Sequence, residues 1–381
     1  MKLGILGGAL QGTEAVYLAK KAGYETFVID RRKNAPALSL ADGHAVLDPM
    51  EQEREAMRIF SDCDAVMPAC ENLDVLLKLN DMLKGSDIQL LFDMSSYLVS
   101  SSKTASNRMM EHIGVPIPKN WPECGYPAIV KPSGQSGSVG VTLAYSEKDV
   151  RDGIEKIIGM GDEPVMQEFV SGKSVSIEII GNGKEFKPFV TTEIILDKKY
   201  DCKRVLCAPG ILNKEKDEEF KAISEKMAEH MELKALMDVE AIDTVRGLRV
   251  LEIDARIPSQ TPAAVLAATG INLLEETVSF TGRKATNGAA SYEHFVITGG
   301  ELITCGEKEF ARVSQPRFVR GLFGSDEMIT DYEPGAGTWR CTMINGASSE
   351  KELEKKRARC IASIMSECKL KKFVDESPEM I

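Results

Sequence analysis

The sequence predicts a mixed α/β and α+β fold, in which a parallel α/β domain precedes two α+β domains. Short apolar runs alternate with helical patterns over residues 1–98. After about residue 119, strand patterns follow one another with a single helix among them. Two later strand patterns, joined by a short turn, carry acidic residues on both strands. A chain of 381 residues can bury cores for two or three domains, predicted at 1–98, 99–195 and 196–381.

The first domain is predicted to be a Rossmann-like parallel sheet covered by helices, because strand and helix patterns alternate. Its predicted strands are Leu3–Leu6, Thr26–Asp30, Ala45–Leu47, Ala65–Pro68 and Leu90–Phe92, with helices such as Glu14–Ala22 and Leu73–Leu83 between them. The Gly-rich segment Gly7–Gly12 follows the first strand, and Asp30 ends the second. A nicotinamide site is an alternative interpretation, although the glycines lack the GxGxxG spacing.

The second domain begins with a helix near Lys103–Ile113, which stops at a Gly-Val-Pro-Ile-Pro segment. Its predicted strands are Ala128–Lys131, Gly140–Ala144, Val165–Phe169 and Ser174–Ile180, with a helix near Glu147–Ile158. The third domain contains the amphipathic helix Glu218–Met231 and the acidic strands. It ends in a helix that starts near Ser349, with Glu352 as its capping-box partner.

The acidic strands predict a divalent cation site. Glu240 lies on the first strand, and Glu252, Asp254 and Arg256 alternate along the second, so an antiparallel hairpin in the correct register puts them on one face. Carboxylates on one face repel unless a cation lies among them, and hard oxygen ligands suit Mg²⁺ that carries phosphates. The alternative is a solvated polar face of a sheet.

A lysine followed by a glycine-rich loop predicts a polyphosphate site. Lys131 ends a strand, and the loop after it contains Gly134, Gly137 and Gly140, with Ser138 among them. Glycines let backbone amides approach phosphates, and the lysine supplies a point charge. Further along, a strand runs into an extended hinge whose backbone and apolar side chains suit an adenine ring: Gln167, Glu168, Phe169 and Val170. A Gly/Ser-rich hairpin loop and a plain strand–turn–strand are the alternatives.

Composition narrows the function classes. The formal net charge of −11 disfavours nucleic acid and anionic membranes as partners, and no long apolar segment is present. Nine scattered cysteines without a CxxC pair indicate reduced thiols and a cytoplasmic protein rather than a disulfide framework or a zinc site. Small-molecule substrates are therefore expected, and a homo-oligomer is left open.

In order and spacing these segments resemble the ATP-grasp superfamily over about residues 100–270, preceded by that superfamily's usual first domain. Within it the chain is most similar to the ligases of pyrrolysine biosynthesis, which join 3-methyl-D-ornithine to L-lysine. The matching stretches are Gly7–Gly12, Glu71-Asn-Leu, Tyr200-Asp-Cys, Met237–Ile242 and Glu252–Pro262. Where the superfamily commonly has Glu-x-Asn, this chain has Asp254, and the added charge favours a second Mg²⁺ or a cationic substrate.

The resemblance implies an ATP- and Mg²⁺-dependent carboxylate–amine ligase with two metal ions and an acyl-phosphate intermediate. It assigns Lys103, Lys131, Ser138 and the hinge to ATP, and Glu240, Glu252 and Asp254 to the metal. Lys131 and Arg256 are the implied catalytic residues, with Arg256 beside the reacting carboxylate. The implied substrate contacts are Leu10, Gln11, Asp30, Asp48, Glu71, Ser176, Glu178, Arg256, Pro258, Ser259, Gln260 and Thr261.

Other functions are compatible with parts of the pattern. The same fold could serve D-ornithine as acceptor, another amino-acid pair, or a carboxylase-like reaction of the purine pathway. A nicotinamide-dependent oxidoreductase and a nucleotide-binding regulator without turnover belong to different classes. The complete set of lysine and carboxylate positions argues against a regulator, because a sensor does not need all of them.

Overall fold

The chain forms two units, as seen in a computed structural model that describes residues 1–282 and 285–378. The first unit comprises Met1–Met94, Thr192–Ile211 and Arg256–Pro378, and the second comprises Ser95–Thr191 and Leu212–Ala255. The mixed α/β and α+β fold predicted from the sequence is confirmed. The three-domain division stays a prediction.

The N-terminal part of the first unit is an α/β sheet, as predicted. Within residues 1–94 the parallel strands lie in the order β3-β2-β1-β4-β5. They are β1 (Lys2–Leu6), β2 (Glu25–Asp30), β3 (Gly43–Val46), β4 (Ala65–Pro68) and β5 (Gln89–Leu90), and the helices are α1 (Leu10–Lys21), α2 (Glu53–Phe60) and α3 (Leu73–Leu83). The last strand is shorter than predicted, since its neighbour β4 ends in Pro68, which has no N–H to donate.

The Gly-rich segment after β1 is explained by close backbone packing. Gly7 has φ +110°, and a Cβ there would lie 2.4 Å from the Ala69 carbonyl oxygen. A Cβ on Gly12 would lie 2.2 Å from the Gly7 carbonyl oxygen. Only glycine fits both positions without displacing backbone.

The rest of the first unit is mainly antiparallel sheet. Its strands are β11 (Cys202–Cys207), β14 (Ala289–Thr298), β15 (Glu301–Thr304), β16 (Arg317–Arg320), β17 (Glu327–Thr330), β18 (Trp339–Ala347) and β19 (Lys372–Val374). Its helices are α8 (Thr261–Thr269), α9 (Leu273–Ser279), α10 (Glu307–Phe310) and α11 (Glu350–Glu367). Buried residues of β14, β18 and α11, including Phe295, Trp339 and Ile364, form one core. Ser349 caps α11 as predicted, although the Glu352 carboxylate accepts from the Ser348 hydroxyl.

The second unit contains two antiparallel sheets. The helices are α4 (Met94–Ser100), α5 (Lys103–His112), α6 (Glu147–Gly159) and α7 (Lys214–His230), and the strands are β6 (Ala128–Pro132), β7 (Thr142–Ala144), β8 (Pro164–Glu168), β9 (Lys173–Gly181), β12 (Leu236–Thr244) and β13 (Gly247–Asp254). One sheet has the order β7-β6-β8, and in the other β12 lies between β9 and β13. Strand β10 (Phe186–Leu196) begins in this unit and ends in the first.

Apolar packing in the second unit determines which face of the smaller sheet can bind a ligand. Val130, Ala144, Val150 and Ile157 bury one face of the smaller sheet under α6. Residues that alternate with these along β6 point to the other face, so Lys131 is presented there. Throughout 1–282 and 285–378, the structure has no helix that combines the length and apolar character needed to cross a membrane.

Candidate active site

The predicted acidic hairpin forms in the second unit with its carboxylates in register. Glu240 lies opposite Glu252, and Asp238 lies opposite Asp254. The register shifts next to Glu240, leaving Leu251 as the extra residue of a β-bulge. Facing residues of an antiparallel pair share one side of the sheet, so the prediction that Glu240, Glu252 and Asp254 share a face is met by the backbone register.

The acidic face extends onto a third strand. On β9, Glu178 lies opposite Asp238 and Ser176 opposite Glu240. Glu178 is fully buried, and Asp238, which is also buried, accepts a hydrogen bond from the Ser176 hydroxyl. Asp238 is absent from the predicted metal ligands, although it stands two residues before Glu240 and alternation places both on one face. Among the described residues this face, called the acidic face below, carries Glu178, Asp238, Glu240, Glu252 and Asp254.

The electrostatics of the acidic face show an excess of negative charge. Burial raises the pKa of Glu240 well above its ordinary value, and the nearby Glu252, Asp238 and Asp254 raise it further. Lys103 Nζ lies 2.8 Å from Glu252 Oε2. Burial lowers the pKa of Lys103, but the attraction of Glu252 outweighs it, so the pKa lies above its ordinary value. Lys103 therefore supplies a positive charge that stabilises the ionised carboxylate of Glu252.

The acidic face has the chemistry of a Mg²⁺ site, because it carries several hard oxygen donors on one side of the sheet. As the side chains stand, no three Asp, Glu, His or Cys groups of the described ranges converge closely enough to cage an ion. The contacts explain this, since Glu252 pairs with Lys103 and Asp238 with Ser176. Glu240, Glu252 and Asp254 are the residues that would hold Mg²⁺, which would neutralise phosphate charge there, and Glu252 must first release Lys103.

Lys131 and the glycine-rich loop occupy the neighbouring sheet. Lys131 Nζ lies 3.5 Å from the carbonyl oxygen of the bulge residue Leu251. Burial lowers the pKa of Lys131 to about 8. In the loop, the Gly134 N–H and the Gln135 side-chain amide donate to Asp162 over 3.1 and 3.2 Å. Asp162, which belongs to none of the predicted motifs, therefore fixes the start of the loop.

Lys103 connects this loop to the acidic face. Its ammonium donates to the Gln135 carbonyl oxygen over 2.7 Å as well as pairing with Glu252. The N-terminus of α5 is tied to Ser133, because the Lys103 N–H donates to the Ser133 carbonyl over 2.9 Å. Ser138 lies exposed in the loop with φ 58°. The structure thus brings Lys103, Lys131, the loop and Glu252 together, and the phosphate site itself stays a prediction.

The predicted adenine hinge follows β8. Gln167 pairs with Ile129 in the sheet and, by alternation, lies on the same face as Lys131. Its side chain is buried, and no described group donates to its Oε1 atom. Glu168 instead pairs with Arg246 over 2.6 Å, whereas Phe169 and Val170 are half-buried. A buried carbonyl oxygen without a donor suits an exocyclic amino group.

In the first unit, three predicted substrate residues meet. Arg256 Nη2 lies 2.7 Å from Glu71 Oε1, and the Gln11 amide donates to the same oxygen over 2.8 Å. The Arg256 side chain is only 9% exposed, whereas Glu71 is 39% exposed. A guanidinium beside a carboxylate offers one group for each end of an amino-acid zwitterion.

The other predicted residues of the N-terminal sheet have local partners. Asp30 accepts from the Gly8 N–H over 2.7 Å and from the Arg32 guanidinium over 3.1 Å. Burial would raise the pKa of Asp30, but these hydrogen bonds hold it below its ordinary value. Asp48 accepts from the Met50 N–H over 2.9 Å, and Leu10 is the first residue of α1. Asp30 thus holds the Gly-rich segment, and Asp48 stabilises the turn that follows it in sequence.

The last predicted substrate segment, 258–261, leads into α8. Pro258, Gln260 and Thr261 are buried, and Ser259 is half-buried. No described group hydrogen-bonds the Thr261 hydroxyl. Gln260 has φ +83°, an uncommon backbone conformation for a residue with a side chain.

Solved structures share this fold. The chain superimposes on the biotin carboxylase domain of a Hydrogenobacter thermophilus 2-oxoglutarate carboxylase, determined with MgADP and bicarbonate, with a TM-score of 0.72, 14% identity, and coverage of 95% of this chain and 89% of that one. N5-carboxyaminoimidazole ribonucleotide synthetase from Thermotoga maritima gives a TM-score of 0.64 at 18% identity, over 95% and 98% of the two chains.

Sequence comparisons identify the family. Residues 100–260 match the ATP-grasp domain, and residues 3–91 match the PylC-like N-terminal domain. The 3-methyl-D-ornithine–L-lysine ligase of Methanosarcina barkeri is 33% identical over 370 residues, covering 93% of this chain and 95% of the relative. The Methanosarcina mazei ligase of the same name is 36% identical over 317 residues, or 80% of each chain. The chain therefore belongs to the 3-methyl-D-ornithine–L-lysine ligase family of ATP-grasp enzymes, and it is an ATP-dependent ligase that forms a carbon–nitrogen bond.

Proposed function

We propose that this enzyme joins the carboxylate of 3-methyl-D-ornithine to the ε-amine of L-lysine, with release of ADP and phosphate, as a step of pyrrolysine biosynthesis. The observation that supports it most directly is the 33–36% identity to ligases of that name over most of the chain. D-ornithine is a second acceptor to test. The nine cysteines form no disulfide in the part of the chain that the structure describes, which fits a cytoplasmic location.

The chemistry explains why ATP is needed. A carboxylate resists attack by an amine because an oxide ion is a poor leaving group, and phosphorylation converts it into an acyl phosphate. Phosphoryl transfer depends mainly on positioning and charge neutralisation. Lys103 and Lys131 would hold the phosphates, and Glu240, Glu252 and Asp254 would hold Mg²⁺. The acidic face carries enough carboxylates to ligate two Mg²⁺ ions.

Three features support the proposed ATP contacts. Lys131 and Gln167 share the sheet face opposite α6, so one face can contact both ends of a nucleotide. The buried Gln167 Oε1 suits the adenine amino group, and the Phe169–Val170 hinge can contact the ring. The glycine-rich loop, including Ser138, would close over the phosphates and exclude water from the acyl phosphate.

The ion pair of Glu71 and Arg256 supports recognition of amino acids. We assign an ammonium group to Glu71, assisted by Gln11, and the reacting carboxylate to Arg256. A zwitterion that bridges them replaces one ion pair by two, so neither the buried guanidinium nor the carboxylate loses its partner. The remaining proposed substrate contacts are Leu10, Asp30, Asp48, Ser176, Glu178 and the segment 258–261.

The test is ADP release measured over pairs of amino acids, with mass spectrometry of the product. We expect release that requires Mg²⁺, 3-methyl-D-ornithine (or D-ornithine) and L-lysine together, and a product mass equal to the sum of both amino acids less one water. Release that requires bicarbonate instead of an amino-acid carboxylate would assign the enzyme to carboxylase-like chemistry. Release with a different amino-acid pair would keep the ligase and change its substrates.

A further inference from the structure

Glu307, the first residue of α10, holds two side chains of the segment 258–261. The Ser259 hydroxyl donates to Glu307 Oε2 over 2.8 Å, and the Gln260 amide donates to the same oxygen over 2.9 Å. These residues all belong to the first unit. Because 47 residues separate Gln260 from Glu307, no local sequence pattern indicates the contact.

A second contact fixes the orientation of the Gln260 side chain. The Cys202 thiol donates to Gln260 Oε1 over 3.2 Å, while the amide nitrogen donates to Glu307. A carboxylate can only accept and the thiol here donates, so the two ends of the amide cannot exchange places. Gln260 is 3% exposed, and its amide is therefore held in one orientation from both sides.

The backbone at Gln260 is strained. Its φ of +83° and ψ of −50°, together with the Thr261 N–H donating to the Ser259 carbonyl over 3.1 Å, define a γ-turn of the rare type. Glycine would adopt this conformation without a Cβ penalty. The presence of glutamine here therefore indicates that its side chain has a role at this position. Strained residues persist where their surroundings hold them, and they concentrate at functional sites.

We propose that Glu307 is a positioning residue of the ligase reaction. It holds the Ser259 hydroxyl and the Gln260 amide in place for an amino-acid substrate, and so sets the affinity for that substrate. The proposal rests on the proposed function, which assigns the segment 258–261 to substrate binding. Both hydrogen bonds end on a single oxygen, so a neutral side chain with one acceptor oxygen at the same position can accept both.

The test compares Glu307→Ala and Glu307→Gln in steady-state ADP release with 3-methyl-D-ornithine, L-lysine, ATP and Mg²⁺. For the alanine variant we expect the KM of one amino acid to rise by about tenfold or more and the KM of ATP to stay within about twofold. The glutamine variant should recover most of this loss. Glu309→Ala is the matched control, because Glu309 lies in the same short helix but pairs with Arg340.

Each outcome supports or overturns the proposal. Unchanged amino-acid KM values in Glu307→Ala, or a glutamine variant as impaired as the alanine variant, would overturn it. If Glu307→Ala does not fold, Glu307→Met, of similar size but without an acceptor, takes its place against Glu307→Gln. A wild-type enzyme that shows no release dependent on these amino acids counts against the proposed function itself and removes this inference with it.

Discussion

The buried carboxyl group of Glu14 predicts that stability falls as the pH rises. Glu14 lies on α1 with no exposed surface, and its Oε1 atom accepts from the Ala263 N–H over 2.6 Å. Its Oε2 atom has no hydrogen-bond partner among the described residues. Burial raises the pKa of Glu14 from 4.5 to about 8, although the backbone bonds from Ala263 and Gln260 oppose the shift. At neutral pH the folded protein therefore keeps this group largely protonated.

The sign of the effect follows from proton binding. Between pH 4.5 and about 8 the folded state retains the Glu14 proton and the unfolded state has lost it. The contribution of Glu14 to the free energy of unfolding is therefore complete below pH 4.5. It decreases by about 1.4 kcal/mol per pH unit through this window. The total loss of stability is about 5 kcal/mol at pH values above 8, which is a large share of a typical folding free energy.

The perturbation is Glu14→Gln, which keeps a carbonyl oxygen for the Ala263 N–H and removes the ionisation. Relative to wild type, the variant should gain stability progressively from pH 5 to pH 8. Denaturant unfolding followed by tryptophan fluorescence measures this. Of the two tryptophans, Trp339 lies in the first unit with Glu14 and Trp121 in the second, so a Trp121→Phe background reports the relevant unit.

Two results would refute the reasoning about Glu14. The difference in unfolding free energy between wild type and Glu14→Gln could stay constant across this pH range, which would mean that Glu14 ionises in the folded state at its ordinary pKa. Alternatively, the variant could lose stability relative to wild type as the pH rises, which would identify hydrogen bonding to the ionised carboxylate as the dominant role of Glu14. Glu25→Gln, at an exposed position of the same unit, is the matched control.

Three further predictions concern activity. Lys131→Ala and Glu252→Ala should each lower the rate of ADP release by about 100-fold or more, because each removes a charge needed in phosphoryl transfer. A wild-type rate in either variant would contradict the assigned site. Asp162→Asn should raise the KM of ATP by about threefold to tenfold by loosening the glycine-rich loop, with the exposed Asp152→Asn expected to leave it unchanged. Arg256→Ala should raise the Kd of an amino-acid substrate by about 100-fold, and binding calorimetry without ATP measures this.

The hairpin illustrates how far the sequence predicts the site. Alternation along two strands and a short turn were enough to place Glu240 and Glu252 on one face, because the side-chain period of a strand is two. The same rule applied to Asp238 would have added it. Lys131 was found from its place before the glycine-rich loop and Lys103 through the family resemblance, and in the structure the Lys103 ammonium donates to that loop.

Contacts between distant segments could not be predicted in this way. Asp162 reaches the loop from 28 residues away, and Glu307 reaches Gln260 from 47 residues away. Neither contact follows from a local period, since each depends on how separate elements pack. The ion pair of Glu71 and Arg256 is similar, because the sequence suggested a substrate role for each residue without indicating that they neutralise each other.

The charge balance of the second unit predicts that the binding of ATP and the binding of its metal are linked. Glu252 now has Lys103 as its partner, and burial together with the neighbouring carboxylates raises the pKa of Glu240. In the proposed function, bound phosphates would give Lys103 a more highly charged partner, and Glu252 would be released to ligate a cation. Removing one member of this half-buried ion pair weakens the stabilisation of the other charge, so each exchange is less favourable without the other. We therefore expect Mg²⁺ alone to bind weakly and Mg²⁺ with nucleotide to bind tightly, whereas Lys103→Met should strengthen binding of Mg²⁺ alone.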